Sequence, residues 1–318
     1  MEAPQQVTKP RASVSPAWST ARGELDLSTR PLVVAVVNAT PDSFSDRGAD
    51  RSPEAAAARV RERIEAGADL IEVGGESNVS NRPAVDAATE IERIVPVVEA
   101  AAAAGAVVSI DTYKPAVAAA ALDAGAAIVN DISGFADPEM AALCAGRGAG
   151  VVLMHTITPP KVSLWDDDAY GETGVADSVL GWLGEGIARL EREGIAREAI
   201  CLDPGIDFGK TPAQSVELMR AFERITALGL PVMSAVSRKD FVGALTGRRP
   251  SERLAGTLAA VGWAVLAGAR LIRAHDVAET RDFIAVLGAL SGETEVPATL
   301  RIDESIRREQ PADGRPTA

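Results

Sequence analysis

Several residue types are scarce in this sequence, and each scarcity excludes a class of protein. Cysteine occurs twice, at Cys144 and Cys201, in separate apolar segments without the close spacing of a zinc site. We therefore expect two buried free thiols in a reducing compartment. Aromatic residues make up 4% of the chain, so the core must consist of Ala, Val, Leu and Ile. Basic residues number 32 against 45 acidic ones, for a net charge of −13, which argues against binding to nucleic acid or to an anionic membrane surface.

Long apolar runs are also missing. No stretch approaches the roughly 18 apolar residues of a membrane span, and residues 1–30 lack the apolar segment of a secretory signal. This pattern predicts a cytoplasmic protein. The sequence also lacks HExxH, the Gly-x-x-x-x-Gly-Lys-Ser/Thr phosphate loop and the Gly-x-Ser-x-Gly elbow of hydrolases. What the chain does have is length and apolar content, 318 residues of which 47% are hydrophobic, enough to bury a large core.

Composition divides the chain into three parts. Residues 1–30 are rich in Pro, Ser, Thr and Gln without periodicity, which predicts a disordered N-terminal tail. Residues 292–318 are polar and charged and predict a loose C-terminal tail. Between them, residues 31–291 alternate short apolar runs with Ala-rich segments of helical character, as one domain would.

Eight predicted strands alternate with eight predicted helices in this central part. The strands cover residues 32–37, 70–73, 107–110, 128–130, 151–154, 199–202, 232–236 and 271–274. The helices cover residues 52–66, 86–104, 115–124, 138–145, 175–193, 211–228, 251–267 and 278–290. This alternation favours an α/β fold of the (β/α)8 type, a TIM barrel, with a doubly wound open sheet as the alternative.

Polar residues follow every predicted strand. They are Asn38, the segment "VGGESNVSNRPAV" over residues 73–85, Asp111, Asn130 and Asp131, His155, Asp203, "SRK" at residues 237–239, and Arg273, His275 and Asp276. The C-terminal ends of the strands meet at one mouth of such a barrel, where active sites lie. Any one of these residues could be a helix cap or a turn residue, but together they predict a site.

The chemistry of this predicted site can be read in part. Asp111, Asn130 and Asp203 would offer acceptors and one amide to a flat heterocycle that carries N–H donors. The cations Arg238, Lys239 and Arg273 are what an acidic protein would need locally to bind a phosphate or diphosphate. The "SRKDFVGAL" segment also puts residues 237–239 at a helix start, where backbone N–H groups favour an anion.

These motifs, taken in order, resemble the dihydropteroate synthase family over residues 31–290. The matching motifs are "NATPDSFSD" from Asn38, "VGGES" from Val73, "SIDTYK" around Asp111, "NDISG" from Asn130, "LMH" from Leu153, "LDPGIDFGKT" around Asp203, "SRK" from Ser237 and "RAHD" from Arg273. The resemblance implies a (β/α)8 enzyme of folate synthesis, usually a homodimer. It implies a reaction that joins 4-aminobenzoate to 6-hydroxymethyl-7,8-dihydropterin diphosphate and releases diphosphate with the help of Mg²⁺.

The resemblance also implies roles for individual residues. The pterin would be held by Asp111, Asn130, Met154, Asp203 and Lys239. The diphosphate would be held by Asn38, Arg82, Arg273 and His275, with Asn38 acting through the metal. The aminobenzoate would be held by Arg82, Pro83, Phe208 and Ser237. The catalytic set would be Asp111, Lys239, Arg273 and His275, because C–O cleavage leaves positive charge on the pterin methylene and negative charge on diphosphate.

Several departures from the family pattern fall around the predicted site. The second loop keeps Arg82 and Pro83 but is about three residues longer, at residues 78–80, and this thicker wall would exclude bulky sulfonamides more than aminobenzoate. Asp207 stands where the family usually has Gly, and its carboxylate could repel that of aminobenzoate. Glu72 stands where Asp is common.

Four functions remain open on the sequence. The leading prediction is an active synthase. A catalytically silent pterin-binding paralogue is favoured by the altered second loop and Asp207. A pterin-binding methyltransferase domain is disfavoured by the retained "NATPDSF", "SRK" and "RAHD" segments, for which a methyl carrier has no use. An unrelated phosphate-binding barrel enzyme is the last alternative.

Overall fold

The fold is described by a computed structural model, which covers residues 15–39, 52–77 and 83–308. Ten strands lie in these residues. They are β1 (Ala17–Thr20), β2 (Gly23–Asp26), β3 (Leu32–Asn38), β4 (Leu70–Gly74), β5 (Val107–Asp111), β6 (Ile128–Asp131), β7 (Gly150–Met154), β8 (Ile200–Asp203), β9 (Met233–Ser234) and β10 (Leu271–Ala274). The last eight are the strands expected from the sequence.

The eight strands β3–β10 form one parallel sheet that closes on itself. Their order is β8-β7-β6-β5-β4-β3-β10-β9, so neighbours in sequence are neighbours in space. The two outer strands meet through a parallel bridge between Leu202 and Val232, beside a hydrogen bond from Leu202 N–H to Pro231 O of 2.8 Å. The (β/α)8 barrel is therefore confirmed, and the open doubly wound sheet is excluded because its two edges would not meet.

Helices surround the barrel. They are α1 (Pro53–Glu65), α2 (Ala87–Ala103), α3 (Pro115–Ala124), α4 (Pro138–Arg147), α5 (Gly174–Arg192), α6 (Pro212–Arg220), α7 (Phe222–Thr226), α8 (Asp240–Thr246), α9 (Leu254–Leu266) and α10 (Val277–Ser291). Their starts follow ordinary capping rules. Thr211 forms a reciprocal capping box with Gln214, and Asp86 accepts a hydrogen bond from Thr89 N–H.

Three details of the helical layer differ from the prediction. The helix predicted over residues 211–228 is divided into α6 and α7 at Ala221, and the one predicted over residues 251–267 begins at Leu254, after a short 3-10 turn. Helix α8 is absent from the eight predicted helices, although the sequence did place a helix start after residues 237–239. A seven-residue helix carries too little apolar periodicity to be recognised separately.

The prediction of a disordered N-terminal tail over residues 1–30 is wrong for residues 15–30. Strands β1 and β2 pair there as an antiparallel hairpin. The Trp18 side chain is completely buried, and its indole N–H donates to Ala199 O at 2.9 Å. Trp18 and Leu27 pack on the apolar residues inside the barrel, including Leu70. The hairpin therefore covers the N-terminal end of the barrel, while residues 1–14 lie outside the described residues.

Side-chain alternation along the strands separates two layers inside the barrel. The inner layer contains Leu70, Ile128, Cys201 and Leu271, packed in one cluster with the hairpin. Two residues further along each of these strands, on the same face, the side chain is polar. These second residues are Glu72, Asn130, Asp203 and Arg273. The apolar layer thus supports a polar layer at the C-terminal mouth.

Three further predictions concern the C-terminal residues, the cysteines and membrane spans. Residues 292–308 contain one 3-10 turn, Glu304–Ile306, and are largely exposed. Both cysteines are buried and free, as expected. Among the described residues, no helix has the length and apolar character needed to cross a membrane.

Candidate functional site

The strand-borne residues of the predicted site meet at the mouth of the barrel. Asp111 and Asn130 are opposite each other in the pairing of β5 with β6, and Met154 is opposite Asp203 in the pairing of β7 with β8. All four are almost fully buried. Asn38 lies at the end of β3 and is exposed, with its side-chain oxygen beside Gly74. The structure therefore brings these five residues to one rim.

Arg273 lies at the centre of this rim and contacts two buried acids. Its Nε donates to Glu72, and its Nη2 donates to Asp111 Oδ2 at 3.0 Å. Burial alone would lower the pKa of Arg273, but the charges of Glu72 and Asp111 outweigh it and raise the pKa above its ordinary value. Arg273 is therefore a permanent cation whose orientation is fixed from two sides.

Glu72, on β4, contacts residues of β5 and β6 as well as Arg273 on β10. Its second carboxylate oxygen accepts hydrogen bonds from Asn130 Nδ2 at 3.0 Å and from Ser109 Oγ at 3.3 Å. The Asn130 amide is thereby oriented, and among the described residues its side-chain oxygen Oδ1 has no hydrogen-bond partner although it is buried. A buried acceptor of this kind costs free energy unless a ligand or water satisfies it.

Asp203 and Lys239 form the second charged group at the mouth. Burial raises the pKa of Asp203, against the effects of Gly205 N–H and of the nearby cations Lys239, Arg273 and Lys210. Burial likewise lowers the pKa of Lys239, against the attraction of Asp207 and Asp203. The Lys239 ammonium lies over the Phe208 ring, 4.2 Å from its centroid. An acid, a cation and an aromatic face are therefore adjacent.

Ser237 and His275, which the sequence assigned to different ligands, touch each other. The Ser237 hydroxyl oxygen accepts from His275 backbone N–H at 3.2 Å and lies 2.9 Å from Nδ1 of the same residue. Burial, reinforced by the positive charges of Arg273 and Arg238, lowers the pKa of His275 to about 4. At neutral pH the imidazole is uncharged, so it can contribute a hydrogen bond to an anion but not a charge.

Arg238 has an acidic partner of its own. Its guanidinium pairs with Asp276, with Nε donating to Oδ2 at 3.1 Å. Its backbone has a positive φ of 59°, and its N–H donates to Thr257 Oγ1 at 3.0 Å. Of the three cations proposed from the sequence, Lys239 and Arg273 line the mouth, whereas Arg238 is paired with Asp276 and acts on His275 through its charge.

The segment after β8 is held by a buried lysine that sequence reasoning missed. Lys210 Nζ donates to Gly205 O at 2.8 Å and to Phe208 O at 3.0 Å, and lies 2.9 Å from His155 Nδ1. Burial lowers the pKa of Lys210 to about 7. Burial and the charge of Lys210 lower the pKa of His155 to about 2, so the imidazole is a neutral acceptor.

Gly205 shows how tightly this segment, residues 203–210, is packed. Its φ is +65°, and a Cβ atom added there would lie 1.9 Å from the backbone oxygen of His155. No side chain fits. The segment therefore holds Asp203, Asp207 and Phe208 in fixed positions against the end of β7.

Asp207 also adopts a left-handed conformation, with φ of 66°. Its carboxylate accepts from Ser215 Oγ at 2.9 Å and from the backbone N–H groups of Asp240 and Phe241, the first two residues of α8. The departure noted in the sequence thus connects the segment after β8 to the start of α8.

The ends of the second loop are fastened by an ionic cluster around Glu76. Lys114 Nζ donates to Glu76 at 2.5 Å and to Val85 O at 2.6 Å, and Lys161 Nζ donates to Ser77 O at 2.6 Å. Burial would raise the pKa of Glu76, but Lys114 and Val85 N–H outweigh it and lower the pKa. Pro83 is exposed beside this cluster. Arg82, the extension at residues 78–80 and most of the first loop, residues 40–51, lie outside the described residues.

Metal ligands are few in the described part of the chain. It contains no group of three or more His, Cys, Asp or Glu side chains placed to hold a metal ion. Asn38, the predicted metal ligand, offers one neutral oxygen. Such a donor suits Mg²⁺ only where substrate phosphates and water complete the shell.

Glu72 and Lys210 are the residues that sequence reasoning undervalued. Glu72 could have been found, because it is the single charged residue in the apolar strand LIEVG, and the strand period of two aims it at the same side as Asp111. Lys210 carries no such signal, since a lysine just before a helix usually faces solvent.

Comparison with known proteins identifies relatives over most of the chain. Residues 34–275 match the family described as "Pterin binding enzyme". The inactive dihydropteroate synthase 2 of Mycobacterium leprae is 39% identical over 282 residues, which cover 86% of this chain and 94% of that protein. The dihydropteroate synthase of Escherichia coli is 39% identical over 286 residues, covering 90% and 97%. The solved structure of Xanthomonas albilineans dihydropteroate synthase with 4-aminobenzoic acid has a TM-score of 0.80 at 39% identity, covering 89% and 100%.

Proposed function

We propose, from the premise that this chain belongs to the pterin binding enzymes, that it is a dihydropteroate synthase. It would condense 6-hydroxymethyl-7,8-dihydropterin diphosphate with 4-aminobenzoate to give 7,8-dihydropteroate and diphosphate. Both a synthase from Escherichia coli and an inactive synthase 2 from Mycobacterium leprae are relatives at 39% identity. Identity alone therefore does not separate an active chain from a silent one, and the proposal depends on the chemistry of the mouth.

The observation that carries the proposal is the arrangement of buried acceptors beside fixed cations. Asp203 and Asn130 Oδ1 are buried acceptors at the mouth, and a pterin edge presents N–H donors that would satisfy them. Lys239 and Arg273 lie next to these acceptors, close enough to shift the pKa of Asp203. Such a pocket suits a ligand with a donor-rich heterocycle at one end and an anion at the other.

The proposed reaction needs separation of charge rather than a protein nucleophile. Breaking the C–O bond to diphosphate leaves positive charge on the pterin methylene, and the acids Asp111 and Asp203 would stabilise it. Arg273, oriented by Glu72 and Asp111, would stabilise the charge on the leaving group. The aminobenzoate nitrogen then forms a C–N bond to the methylene carbon and gives up its proton to the released diphosphate. The walls formed by Phe208 and Pro83 would exclude water from the cation.

His275 and Ser237 would take part as neutral hydrogen-bonding groups. With a pKa lowered to about 4 by burial and neighbouring cations, His275 is uncharged at neutral pH. Its Nδ1 faces Ser237, which leaves Nε2 as the nitrogen available to a ligand. The tautomer with the proton on Nε2, and with Ser237 donating to Nδ1, would donate to a diphosphate oxygen.

We propose that the reaction uses Mg²⁺ and that Asn38 is the protein ligand of this ion. The exposed amide at the end of β3 is the metal ligand implied by the resemblance, and its single oxygen fits an ion bound mainly by diphosphate. When bound, the ion would neutralise charge on the leaving group. Arg82 would add a further cation from the second loop.

A homodimer is also proposed, as the resemblance implies. An apolar groove lies between α6, α8 and α9 and is lined by Met219, Leu245 and Trp263 among other residues. Leu245 and Trp263 are exposed large apolar side chains, which a second copy of the chain would cover.

One assay tests the function. The purified chain is incubated with the pterin diphosphate, 4-aminobenzoate and Mg²⁺, and diphosphate release and product are measured together. We expect equal amounts of diphosphate and 7,8-dihydropteroate, and none of either when Mg²⁺ is removed by a chelator. Pterin binding without diphosphate release, at any amine concentration, would contradict the synthase.

The second candidate is a silent pterin-binding paralogue, and the state of Arg273 favours it. Two of the guanidinium nitrogens are already satisfied by Glu72 and Asp111, so a diphosphate must compete with two buried carboxylates. In this case free pterin and pterin diphosphate bind about equally, whereas an active synthase prefers the diphosphate ester. The ratio of the two dissociation constants separates the candidates.

A further inference from the structure

We propose that Glu72 is a positioning residue for the heterocycle, which sets the orientation of the Asn130 amide so that the mouth presents an acceptor, not a donor, to the ligand. The inference rests on the proposed function, because the ligand is a pterin. It deepens that function by giving a role in binding to a residue that has no exposed surface. Glu72 is completely buried, whereas Asn130 lies near the end of β6.

Glu72 offers only acceptors to the Asn130 amide. Its Oε1 accepts from Arg273 Nε, and its Oε2 accepts from Asn130 Nδ2 at 3.0 Å and from Ser109 Oγ at 3.3 Å. A carboxylate paired with a guanidinium has no proton to donate, so the part of the amide that faces it must be the NH2 group. Hydrogen-bond chemistry, and not packing alone, therefore directs the Asn130 oxygen away from Glu72.

The Asn130 oxygen is left for a ligand. Oδ1 is buried and has no hydrogen-bond partner among the residues that the structure describes. Asn130 belongs to the polar layer inside the barrel, together with Asp203 and Arg273. An acceptor in this state costs free energy until a donor reaches it. An N–H group of the heterocycle would supply that donor, and it would meet a second donor if the amide were reversed.

Replacing Glu72 by glutamine is expected to reverse the amide. Arg273 Nε is a donor, so it selects the carbonyl oxygen of the glutamine. The NH2 group of the glutamine then takes the position of Oε2 and faces Asn130. Two NH2 groups cannot form a hydrogen bond with each other. Asn130 therefore turns its oxygen toward position 72 and its NH2 group toward the ligand.

The main test exchanges the two functional groups, with free 6-hydroxymethyl-7,8-dihydropterin as the probe in calorimetry of the whole chain. Glu72→Gln alone is expected to lower pterin affinity by at least about tenfold, because a donor faces a donor. In Glu72→Gln/Asn130→Asp, the glutamine donates to one oxygen of the new carboxylate and the other oxygen faces the ligand. This double variant keeps the charge and nearly the shape of the original pair, so its affinity is expected within about threefold of the unmodified chain.

A second double variant tests the part that Arg273 plays. In Glu72→Gln/Arg273→Met no guanidinium holds the glutamine oxygen, so the glutamine can turn that oxygen to Asn130 Nδ2. Affinity for free pterin is expected to be at least about threefold higher than in Glu72→Gln. A purely structural role for Glu72 predicts a further loss instead, because Asp111 also loses its cation.

The matched control is Glu90→Gln. Glu90 is buried to nearly the same degree and its carboxylate also pairs with a cation, Lys114, but it lies on α2 and not on a barrel strand. Its pterin affinity is expected to stay within about twofold of the unmodified chain, because distant sites without shared partners act independently. Unchanged affinity in Glu72→Gln, an equal loss in the control, or no recovery in either double variant would overturn the inference.

Failure to fold would not prevent a decision, and failure of the proposed function is a separate result. If Glu72→Gln alone does not fold, a folded Glu72→Gln/Asn130→Asp that binds pterin supports the inference, and one that does not bind overturns it. The function fails if the unmodified chain does not bind pterin or releases no diphosphate. The inference alone fails if the unmodified chain binds pterin and the variants do not follow the expected order.

Discussion

The two sides of the barrel mouth hold their charged groups by different means. On the strand side, Glu72, Asp111 and Arg273 extend from β4, β5 and β10, and Arg273 donates hydrogen bonds to both acids. On the loop side, Asp207 and Lys239 are carried by segments between elements, and Asp207 needs a left-handed backbone to reach its partners. The pairing register of the strands sets the positions of the strand-side charges, whereas individual hydrogen bonds and ion pairs set the positions of the loop-side charges.

We expect this difference to affect two properties separately, the stability of the fold and the choice of amine. A strand-borne charge has buried partners that lose their compensation when it is removed, so the free energy of unfolding changes with it. A loop-borne charge at the half-exposed rim can change with less effect on the fold. We therefore expect the strand side to determine whether the pterin diphosphate binds, and the loop side to determine which amine follows.

The largest expected effect tests the strand side. Arg273→Ala leaves Glu72 and Asp111 buried without their cation, which we expect to cost about 3–5 kcal/mol in the free energy of unfolding. The measurement is a denaturant titration. The double variant Glu72→Gln/Arg273→Met removes an acid and the cation together and is expected to recover part of this loss.

The same pair of variants separates a structural arginine from a ligand-binding one. The double variant should still bind free hydroxymethyl-pterin but lose at least about tenfold in affinity for the diphosphate ester, or about 1.4 kcal/mol. Equal losses for both ligands would indicate that Arg273 serves only the fold.

A smaller effect is expected from Asp203→Asn, which keeps the shape and removes the acceptor-only carboxylate. The amide would meet a pterin N–H donor poorly, at a cost of about 1–3 kcal/mol in binding. The matched control is Asp131→Asn, since Asp131 is also a buried acid at a strand end but points to the other face and caps Ser133 N–H. Calorimetry should show weaker pterin binding in Asp203→Asn but not in Asp131→Asn. An equal loss of pterin affinity in both variants would contradict a specific contact between Asp203 and the pterin.

Lys210→Met tests whether the loop side depends on individual contacts. The change removes both hydrogen bonds to Gly205 O and Phe208 O, and we expect a loss of about 1–2 kcal/mol in the free energy of unfolding. Affinity for the amine should fall more than affinity for free pterin, because Phe208 moves while Asp111 and Asn130 stay. If both affinities fell together, the two sides would not be separable.

The smallest expected effect is a pH dependence at His155. Burial and Lys210 lower its pKa from 6.5 to about 2, so the unfolded chain binds a proton below pH 6.5 that the folded chain does not. The contribution of His155 to stability is therefore full well above pH 6.5 and falls as the pH drops, by about 0.8 kcal/mol at pH 6. His155→Gln lacks this proton, so its stability deficit relative to the wild type should narrow between pH 8 and pH 6. A deficit independent of pH would mean that His155 titrates normally.

The strand side could be predicted from the sequence and the loop side only in part. Strand β10 and helix α3 have the predicted bounds, because apolar runs and Ala-rich segments follow the periods of their elements. Asp111, Asn130, Asp203 and Arg273 follow from the ends of those strands. The period of two would also have placed Glu72 inside the barrel.

The N-terminal hairpin, the burial of Lys210 and the role of Asp207 could not be predicted, because each depends on contacts between residues distant in sequence. Trp18 belongs to a hairpin of two four-residue strands that is stabilised by burial against the barrel and by Ala199 O, not by local propensity. Lys210 is buried because three acceptors meet around it. The partners of Asp207 lie 8 and 33 residues away, so its role in joining the segment to α8 needed the fold.

The most direct test of the central claim, a pterin site at the mouth with an anion site beside it, is one pair of titrations on the unmodified chain. Free 6-hydroxymethyl-7,8-dihydropterin and its diphosphate ester are titrated separately by calorimetry in the presence of Mg²⁺ and without amine. We predict one site per chain for each ligand, mutual competition, and at least about tenfold tighter binding of the ester. Absence of binding by free pterin, or binding of the two ligands without competition, would contradict the account.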